Sequence, residues 1–275
     1  MFKKWFAYGA AALMLGCGAL TARADDTPPT AAQVAQWRAA AEKGDPEAQY
    51  NLGLCYFNGW GVVKDLEQAV YWYRKAAEQG YASAQYNLGC CYDGGVGVPK
   101  DPEQAVLWYR KAAEQGDAQA QYNLGCCYDG GVGVPKDPEQ AVFWYRKAAE
   151  QGDASAQYNL GVAYEHGDGG LPKDLERAVY WWRNAAEQGH AKAQYNLGVA
   201  YEHGDGGLPK DLERAVYWYC KAAEQGDADA QHNLGVCYEN GLGVPKDLEQ
   251  AVLWYRRAAE QGSERAQAAL KRLGR

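Results

Sequence analysis

The apolar and polar positions of this chain follow a pattern that returns every 36 or 37 residues. The phrase Ala-Gln-Tyr-Asn-Leu-Gly, with His replacing Tyr in the last copy, begins at Ala48, Ala84, Ala120, Ala156, Ala193 and Ala230. A fixed period of this length marks an array of small structural units. Because no single unit can bury its own apolar face, each must pack against its neighbours. The sequence therefore predicts a solenoid, and its functional surface should be one that stacking creates.

Each unit contains two helical patterns. In the second unit, apolar residues recur at i, i+4, i+7 and i+8 from Ala84, and at i, i+3, i+4 and i+7 from Ala105. Between the two helices, Asp101 is the expected N-cap, Pro102 the first helical residue and Gln104 the N3 member of a capping box. The Trp-Tyr pairs of the second helices, such as Trp72-Tyr73, Trp108-Tyr109, Trp144-Tyr145 and Trp218-Tyr219, are predicted to lie in the core, with the Trp of each pair partly covering the seam between repeats.

Glycines at two kinds of position agree with the prediction of two packed helices per repeat. Gly89, in the middle of a first helix, leaves room for another helix to approach closely. Gly116 follows a second helix, where a residue in the left-handed conformation is common. The same stop recurs at Gly80, Gly152, Gly189, Gly226 and Gly262.

The pattern divides the chain into a signal, a linker, two half-repeat caps and six full repeats. The predicted segments are the signal peptide 1–24, the linker 25–29, the N-terminal capping helix 30–44, the repeats 45–80, 81–116, 117–152, 153–189, 190–226 and 227–262, and the C-terminal capping helix 263–275.

The N-terminus has the features of a cleaved secretory signal. Lys3 and Lys4 are followed by an apolar run from Phe6 to Leu20, which is short for a membrane span, and an Ala-x-Ala site ends at Ala24. Cleavage there predicts a periplasmic or secreted protein. An alternative is a lipoprotein anchored through Cys17, which follows a glycine; only in that case is a membrane association expected.

The charge balance limits the classes of partner. The formal net charge is −7, and loss of the signal would remove three cations and make it −10. No basic stripe is present to displace phosphate counterions, so nucleic acid is not an expected partner. A protein or peptide of basic character is favoured instead, with an attraction that salt would weaken.

The repeats resemble the Sel1-like repeat family, which is related to the tetratricopeptide repeats. The resemblance covers about residues 45–262 and rests on A-x-x-x-L-G-x-x-Y, the G-x-G-V-x-x-D turn and A-x-x-W-Y-x-x-A-A-x-x-G. It implies an all-α fold, a right-handed α-solenoid of helix pairs with a concave face that scaffolds other proteins. Extracytoplasmic bacterial members are common, and we identify this chain as an exported bacterial member.

Candidate binding residues recur on the first helices. An Asn precedes Leu in every repeat: Asn51, Asn87, Asn123, Asn159, Asn196 and Asn233. In related tetratricopeptide proteins an Asn at the matching position binds the backbone of a peptide in the groove, and an amide can both donate and accept. Beside it runs a row of aromatic residues: Tyr50, Tyr86, Tyr122, Tyr158 and Tyr195, followed by His232. The alternative is that both rows only brace neighbouring repeats.

The seven cysteines after the signal are expected to act as small apolar residues. Some exported Sel1-like proteins carry a disulfide in every repeat, but the two positions it needs hold Ala77 and Ala84 here. Equivalent cysteines of stacked repeats should be farther apart than a disulfide allows, or than one zinc ion could bridge. The loops around Glu165-His166 and Glu202-His203 combine His with acids, but a solvated turn explains them as well.

No catalytic motif is present. The chain has no G-x-S-x-G, no H-E-x-x-H and no phosphate-binding glycine loop, and S-x-x-K is absent after Ser83 and Ser155. The prediction is a monomeric, non-enzymatic scaffold or adaptor without a cofactor. Two alternatives remain: a β-lactamase-like or penicillin-binding cell-wall enzyme, and a structural surface factor that contacts host cells.

Overall fold

The computed structural model describes residues 28–275, which form fourteen α-helices and no β-strand. The predicted signal peptide and the first three residues of the linker lie outside this range. The helices are α1 (Ala31–Glu42), α2 (Pro46–Asn58), α3 (Leu66–Glu78), α4 (Ala82–Gly94), α5 (Pro102–Glu114), α6 (Ala118–Gly130), α7 (Pro138–Glu150), α8 (Ala154–His166), α9 (Leu175–Glu187), α10 (Ala191–His203), α11 (Leu212–Glu224), α12 (Ala228–Asn240), α13 (Leu248–Glu260) and α14 (Glu264–Arg272).

The chain forms two compact units. Unit 1 ends at Gln151 and holds α1 and three helix pairs; unit 2 runs from Gly152 to Arg275 and holds three pairs and α14. Within each unit, every helix packs against the next one along the chain. Both units are therefore stacks of helix pairs, and the predicted all-α solenoid is confirmed.

The helix starts follow the predicted capping chemistry. Asp101 accepts a hydrogen bond from the backbone N–H of Gln104 at 3.1 Å, and Pro102 opens α5. Of the two capping-box bonds expected there, only this one forms at α5; Thr30 and Gln33 make both bonds at the start of α1. The second helices end before a glycine at positive φ, such as Gly116 at +96°, as predicted.

A buried aromatic ring packs directly on the glycine in the middle of each first helix. A Cβ atom on Gly89 would lie only 2.6 Å from the ring of Tyr109 in the second helix of the same repeat. The same contact joins Gly53 to Tyr73 and Gly235 to Tyr255. Close approach of the two helices therefore depends on glycine at this position.

Within each unit, buried glutamine side chains tie a first helix to the second helices on either side of it. Gln85 in α4 donates to the carbonyl of Ala77 in α3 at 3.0 Å and accepts from Gln115 at the end of α5 at 2.6 Å. Because Gln85 is buried, both bonds form away from competing water and leave none of its bonded groups unsatisfied. Equivalent bonds from Gln121 to Ala113 and from Gln231 to Ala223 show that the arrangement recurs in both units.

The second-helix aromatic pairs divide between core and seam. Tyr73, Tyr109 and Tyr219 are fully buried, and burial raises the pKa of Tyr73 well above its usual value. Trp108 is also buried, whereas Trp72, Trp144 and Trp218 are half-buried. The tyrosines thus confirm the core prediction, and most of the tryptophans only line the edge of it.

The cysteines occupy packing positions. Cys55, Cys91 and Cys127 are buried in the slot that holds Ala163 and Ala200 in other repeats, which confirms that the slot takes a small apolar side chain. Burial raises the pKa of Cys55 to about 11, so its thiol stays protonated near neutral pH. Among the described residues, Cys55, Cys220 and Cys237 are free thiols.

Candidate functional site

The first helices of unit 2 expose one stripe of repeated residues. In α8, α10 and α12, the positions holding Tyr or His, Asn, Val and Glu follow i, i+1, i+4 and i+7, and so share one side of each helix. We call this surface the first-helix stripe; its residues are Tyr158, Asn159, Val162, Glu165, Tyr195, Asn196, Val199, Glu202, His232, Asn233, Val236 and Glu239. All are partly exposed except Glu239, which is buried.

At the C-terminal end of unit 2, the first helix α12 contacts the capping helix α14 directly. Arg265 of α14 pairs with Asp229 of α12, and Arg272 of α14 hydrogen-bonds Glu239 of α12. These contacts join helices that are separated along the chain by all of α13. A bound chain could therefore touch both of these helices at once.

In unit 1 the predicted residues at the same positions are more deeply buried. Asn51, Asn87 and Asn123 are 4%, 1% and 5% exposed, respectively. Tyr86 is buried, whereas Tyr50 and Tyr122 are half-buried. The three amides of unit 1 are thus not presented to solvent, while Asn159, Asn196 and Asn233 of unit 2 are. The binding role of all six Asn and five Tyr residues stays a prediction.

Each aromatic residue of the stripe rests on a second ring. Tyr195 packs on Tyr219 with ring centroids 5.9 Å apart, and His232 packs on Tyr255 at 5.5 Å. Similar pairs join Tyr50 to Tyr73 at 6.0 Å in unit 1. The aromatic row therefore braces its own repeat while Tyr195 and His232 stay partly exposed, so bracing and binding can coexist.

Tyr158 has a different partner, the imidazole of His190, which stacks on it at 4.8 Å. His190 is the N-cap of α10, and its Nδ1 accepts a hydrogen bond from the backbone N–H of Ala193 at 3.3 Å. Burial, with a smaller contribution from the charge of Lys192, lowers the pKa of His190 to about 4. The imidazole is therefore neutral at pH 7, as its acceptor role requires.

A second repeated surface lies on the second helices. One position of the second helix carries a large, exposed apolar side chain in every repeat: Tyr71, Leu107, Phe143, Tyr180, Tyr217 and Leu253. Several of the aromatic members have a Lys ammonium group above the ring; for example, Nζ of Lys75 lies 5.3 Å from the ring centroid of Tyr71. This row was not predicted from the sequence, because each of its residues directly precedes a Trp whose spacing indicates a core position.

A groove of about 450 Å³ lies at the end of unit 2, against α13 and the residues that follow α14. Leu248, Val252 and Leu273 contribute to its lining. On α11, the equivalent surface is covered by the next loop, where a Cβ on Gly243 would lie 2.3 Å from the Leu212 carbonyl oxygen. The groove is thus an uncovered stacking surface and lies apart from the first-helix stripe.

Within residues 28–275, no three His, Cys, Asp or Glu side chains are grouped so that they could hold a metal ion. The two loop histidines instead bond to their own helices: Nδ1 of His166 lies 3.0 Å from the Val162 carbonyl, and that of His203 lies 3.0 Å from the Val199 carbonyl. No helix of this part of the chain is long and apolar enough to span a membrane.

Comparison with known proteins gives a consistent family assignment. The model of the Sel1 repeat matches six consecutive segments: residues 46–81, 82–117, 118–153, 154–190, 191–227 and 228–263. Among curated proteins, none matches the chain.

Two solved structures are similar over most of the chain. One is c5321, a protective antigen present in uropathogenic Escherichia coli strains and displaying an SLR fold, with 44% identity and a TM-score of 0.78 over 85% of this chain and 50% of that one. The other is a Sel1 repeat protein from Oxalobacter formigenes, with 37% identity and a TM-score of 0.70 over 82% of this chain and 96% of that one. This chain thus spans about half the length of the antigen.

Proposed function

Since the chain belongs to the Sel1 repeat family, we propose that it is a scaffold that binds a protein or peptide along the first-helix stripe of unit 2. Proteins of this family are generally protein-interaction scaffolds, and their fold is typically non-enzymatic. The observation that supports this site is the partly exposed Tyr-Asn-Val-Glu stripe, repeated on neighbouring first helices.

The stripe offers the contacts that an extended chain needs. The amides of Asn159 and Asn196 can donate to and accept from a peptide backbone, and the valines offer small apolar areas between them. Helices in direct contact pack about 8–10 Å apart, so a bound extended chain needs about three residues or more to pass from one amide to the next. Binding then depends on several weak, equivalent contacts in one row.

The double variant Asn159→Ala/Asn196→Ala tests the site. Because both side chains are partly exposed, we expect little change in unfolding but a loss of partner affinity of about tenfold or more, since two hydrogen-bonding groups are removed. A photo-crosslinking residue at Ser155, beside the stripe, would identify the partner in intact cells. The control carries the photo-crosslinking amino acid in place of Glu187, which is exposed on α9. Equal crosslinking from both positions, or an affinity unchanged by the double variant, would contradict the proposal.

We also propose that the protein is exported and matures by cleavage after Ala24. The support is the basic start, the apolar run and the Ala-x-Ala site in residues 1–24. The mass of the mature protein from soluble and membrane fractions tests this. A soluble species starting at Asp25 is expected, whereas a lipid-modified N-terminal Cys17 in the membrane fraction would establish the alternative.

A further inference from the structure

The stripe ends, in each repeat of unit 2, with a glutamate near the C-terminus of the first helix. In two of these repeats a buried tyrosine of the second helix holds the carboxylate in place. The Tyr255 hydroxyl donates to Oε2 of Glu239 at 2.8 Å, and the Tyr219 hydroxyl donates to Oε2 of Glu202 at 2.5 Å. A carboxylate fixed in this way loses little further freedom when it binds a cation.

At Glu239 such a cation is present. Arg272 of α14 donates from Nη1 to Oε1 at 2.6 Å and from Nη2 to Oε2 at 2.7 Å. This is the two-bond arrangement in which a guanidinium best matches a carboxylate. The bonds from Arg272 hold the pKa of Glu239 below its usual value, although burial opposes this. The stripe therefore contains an observed example of a bound arginine side chain.

Glu202 differs from Glu239 in the residue that occupies the position of Arg272 one repeat later. Arg272 lies on the helix one repeat after Glu239, at the repeat position that Val236 holds one repeat after Glu202. A valine has no hydrogen-bond donor, so it cannot supply what Arg272 supplies. Glu202 is partly exposed and accepts the Tyr219 hydroxyl, and none of the ion pairs found in the described residues includes it. Val199 holds the same repeat position one repeat after Glu165, and a carboxylate oxygen of Glu165 lies 3.6 Å from Nδ1 of the adjacent His166.

We propose that Glu202 binds an arginine side chain of the partner, and that Glu165 binds a second basic side chain one repeat away. This inference rests on the proposed function, because it names the chemistry of the segment that occupies the same stripe. The bound arginine takes the place that Arg272 takes at Glu239, with its guanidinium on the carboxylate and its stem along the valine. The overall negative charge of the chain, −7, adds a long-range attraction for such a partner.

The spacing of the helices specifies the form of the segment. A spacing of about 8–10 Å, at which helices pack directly, would match three residues of a polyproline II chain, which rises about 3.1 Å per residue and turns once in three. Side chains at i and i+3 of such a chain point the same way. The expected partner segment is therefore Arg-x-x-Arg in an extended, proline-compatible conformation.

The probe that tests this is a capped peptide, Pro-Arg-Pro-Pro-Arg-Pro, titrated against the full chain by calorimetry. Glu202→Gln keeps the shape and the acceptor for Tyr219 but removes the charge, so we expect about tenfold weaker binding, and a further loss with Glu165→Gln. Peptides with lysine should bind more weakly because they form one bond rather than two. Peptides with citrulline, which is neutral, should not bind measurably.

The matched control is Glu224→Gln, which makes the same change of charge on an exposed site of α11 and should leave the affinity unchanged. No binding of the arginine peptide to the wild-type chain, or equal losses from Glu202→Gln and Glu224→Gln, would overturn the inference. Binding measurements with the crosslinked partner distinguish a failure of the arginine inference from a failure of the proposed function. If its affinity falls with Asn159→Ala/Asn196→Ala but not with Glu202→Gln, the stripe binds the partner without the arginine contact.

Discussion

Replacing Gly125 with alanine is expected to destabilise unit 1 by about 2 kcal/mol, although alanine is the better helix former by about 1 kcal/mol. The new Cβ would lie 2.7 Å from two ring carbons of Tyr145 and 3.2 Å from the Ala141 carbonyl oxygen. The ring of Tyr145 is buried, and the Ala141 oxygen belongs to the backbone of the facing helix. Neither can move without disturbing the α6–α7 pair. Steric overlap in a packed interior then outweighs the gain in helix propensity.

Thermal unfolding followed by circular dichroism measures this effect, and a midpoint lowered by roughly 5–10 °C is expected for a unit of this size. Gly130→Ala is the matched control, because Gly130 is the last residue of the same helix and a Cβ there would meet only a Val132 methyl at 3.3 Å. We expect that variant to be as stable as the wild type or slightly more so. Equal losses from both changes would show that the ring contact is not what selects glycine.

Lowering the pH from 7 to 4 is expected to destabilise unit 2 through His190. Its pKa is about 4 in the folded chain, because burial disfavours the charged ring, against an ordinary value of 6.5. The contribution to stability is therefore complete above pH 6.5 and is lost as the pH falls towards 4, because the unfolded chain takes up the proton first. The shift corresponds to a loss on the order of 3 kcal/mol. Protonation at Nδ1 would also remove the acceptor for the Ala193 N–H.

The variant His190→Asn separates this effect from the titration of the carboxylates. Asparagine is a good N-cap and does not titrate, and the equivalent N-caps in other repeats are Asp153 and Asp227. Urea unfolding at pH 7.5 and pH 5 should therefore show a smaller difference in the variant than in the wild type. The same difference in both proteins would mean that His190 does not carry the pH dependence.

Much of the fold follows from short-range features of the sequence. The period located the repeats, and Asp101, Pro102 and Gly116 mark helix ends through preferences that act within a few residues. Gly89 could also be anticipated as a point of close approach, although only the structure shows that the ring of Tyr109 is what approaches it. These features can be predicted without the tertiary structure because they depend on backbone conformation and on neighbours in the same turn.

The candidate site could be predicted only in part. The rows of Asn and Tyr are visible in the sequence, but their exposure is not, because it depends on how neighbouring helices cover each side chain. Asn87 is 1% exposed while Asn159, at the same repeat position, is accessible. The exposed row of Tyr180 and Tyr217 is likewise obvious only once the core side of the second helices is known.

By itself, therefore, the sequence determined that the chain contains six consecutive helix pairs, and it identified capping residues and glycine stops at helix ends. The tertiary structure alone decided which repeated side chains meet across helices: Gln85 with Ala77 and Gln115, and Arg272 with Glu239. The reason is that capping and helical periodicity are local, whereas a contact between repeats depends on the distance and rotation at which two helices pack.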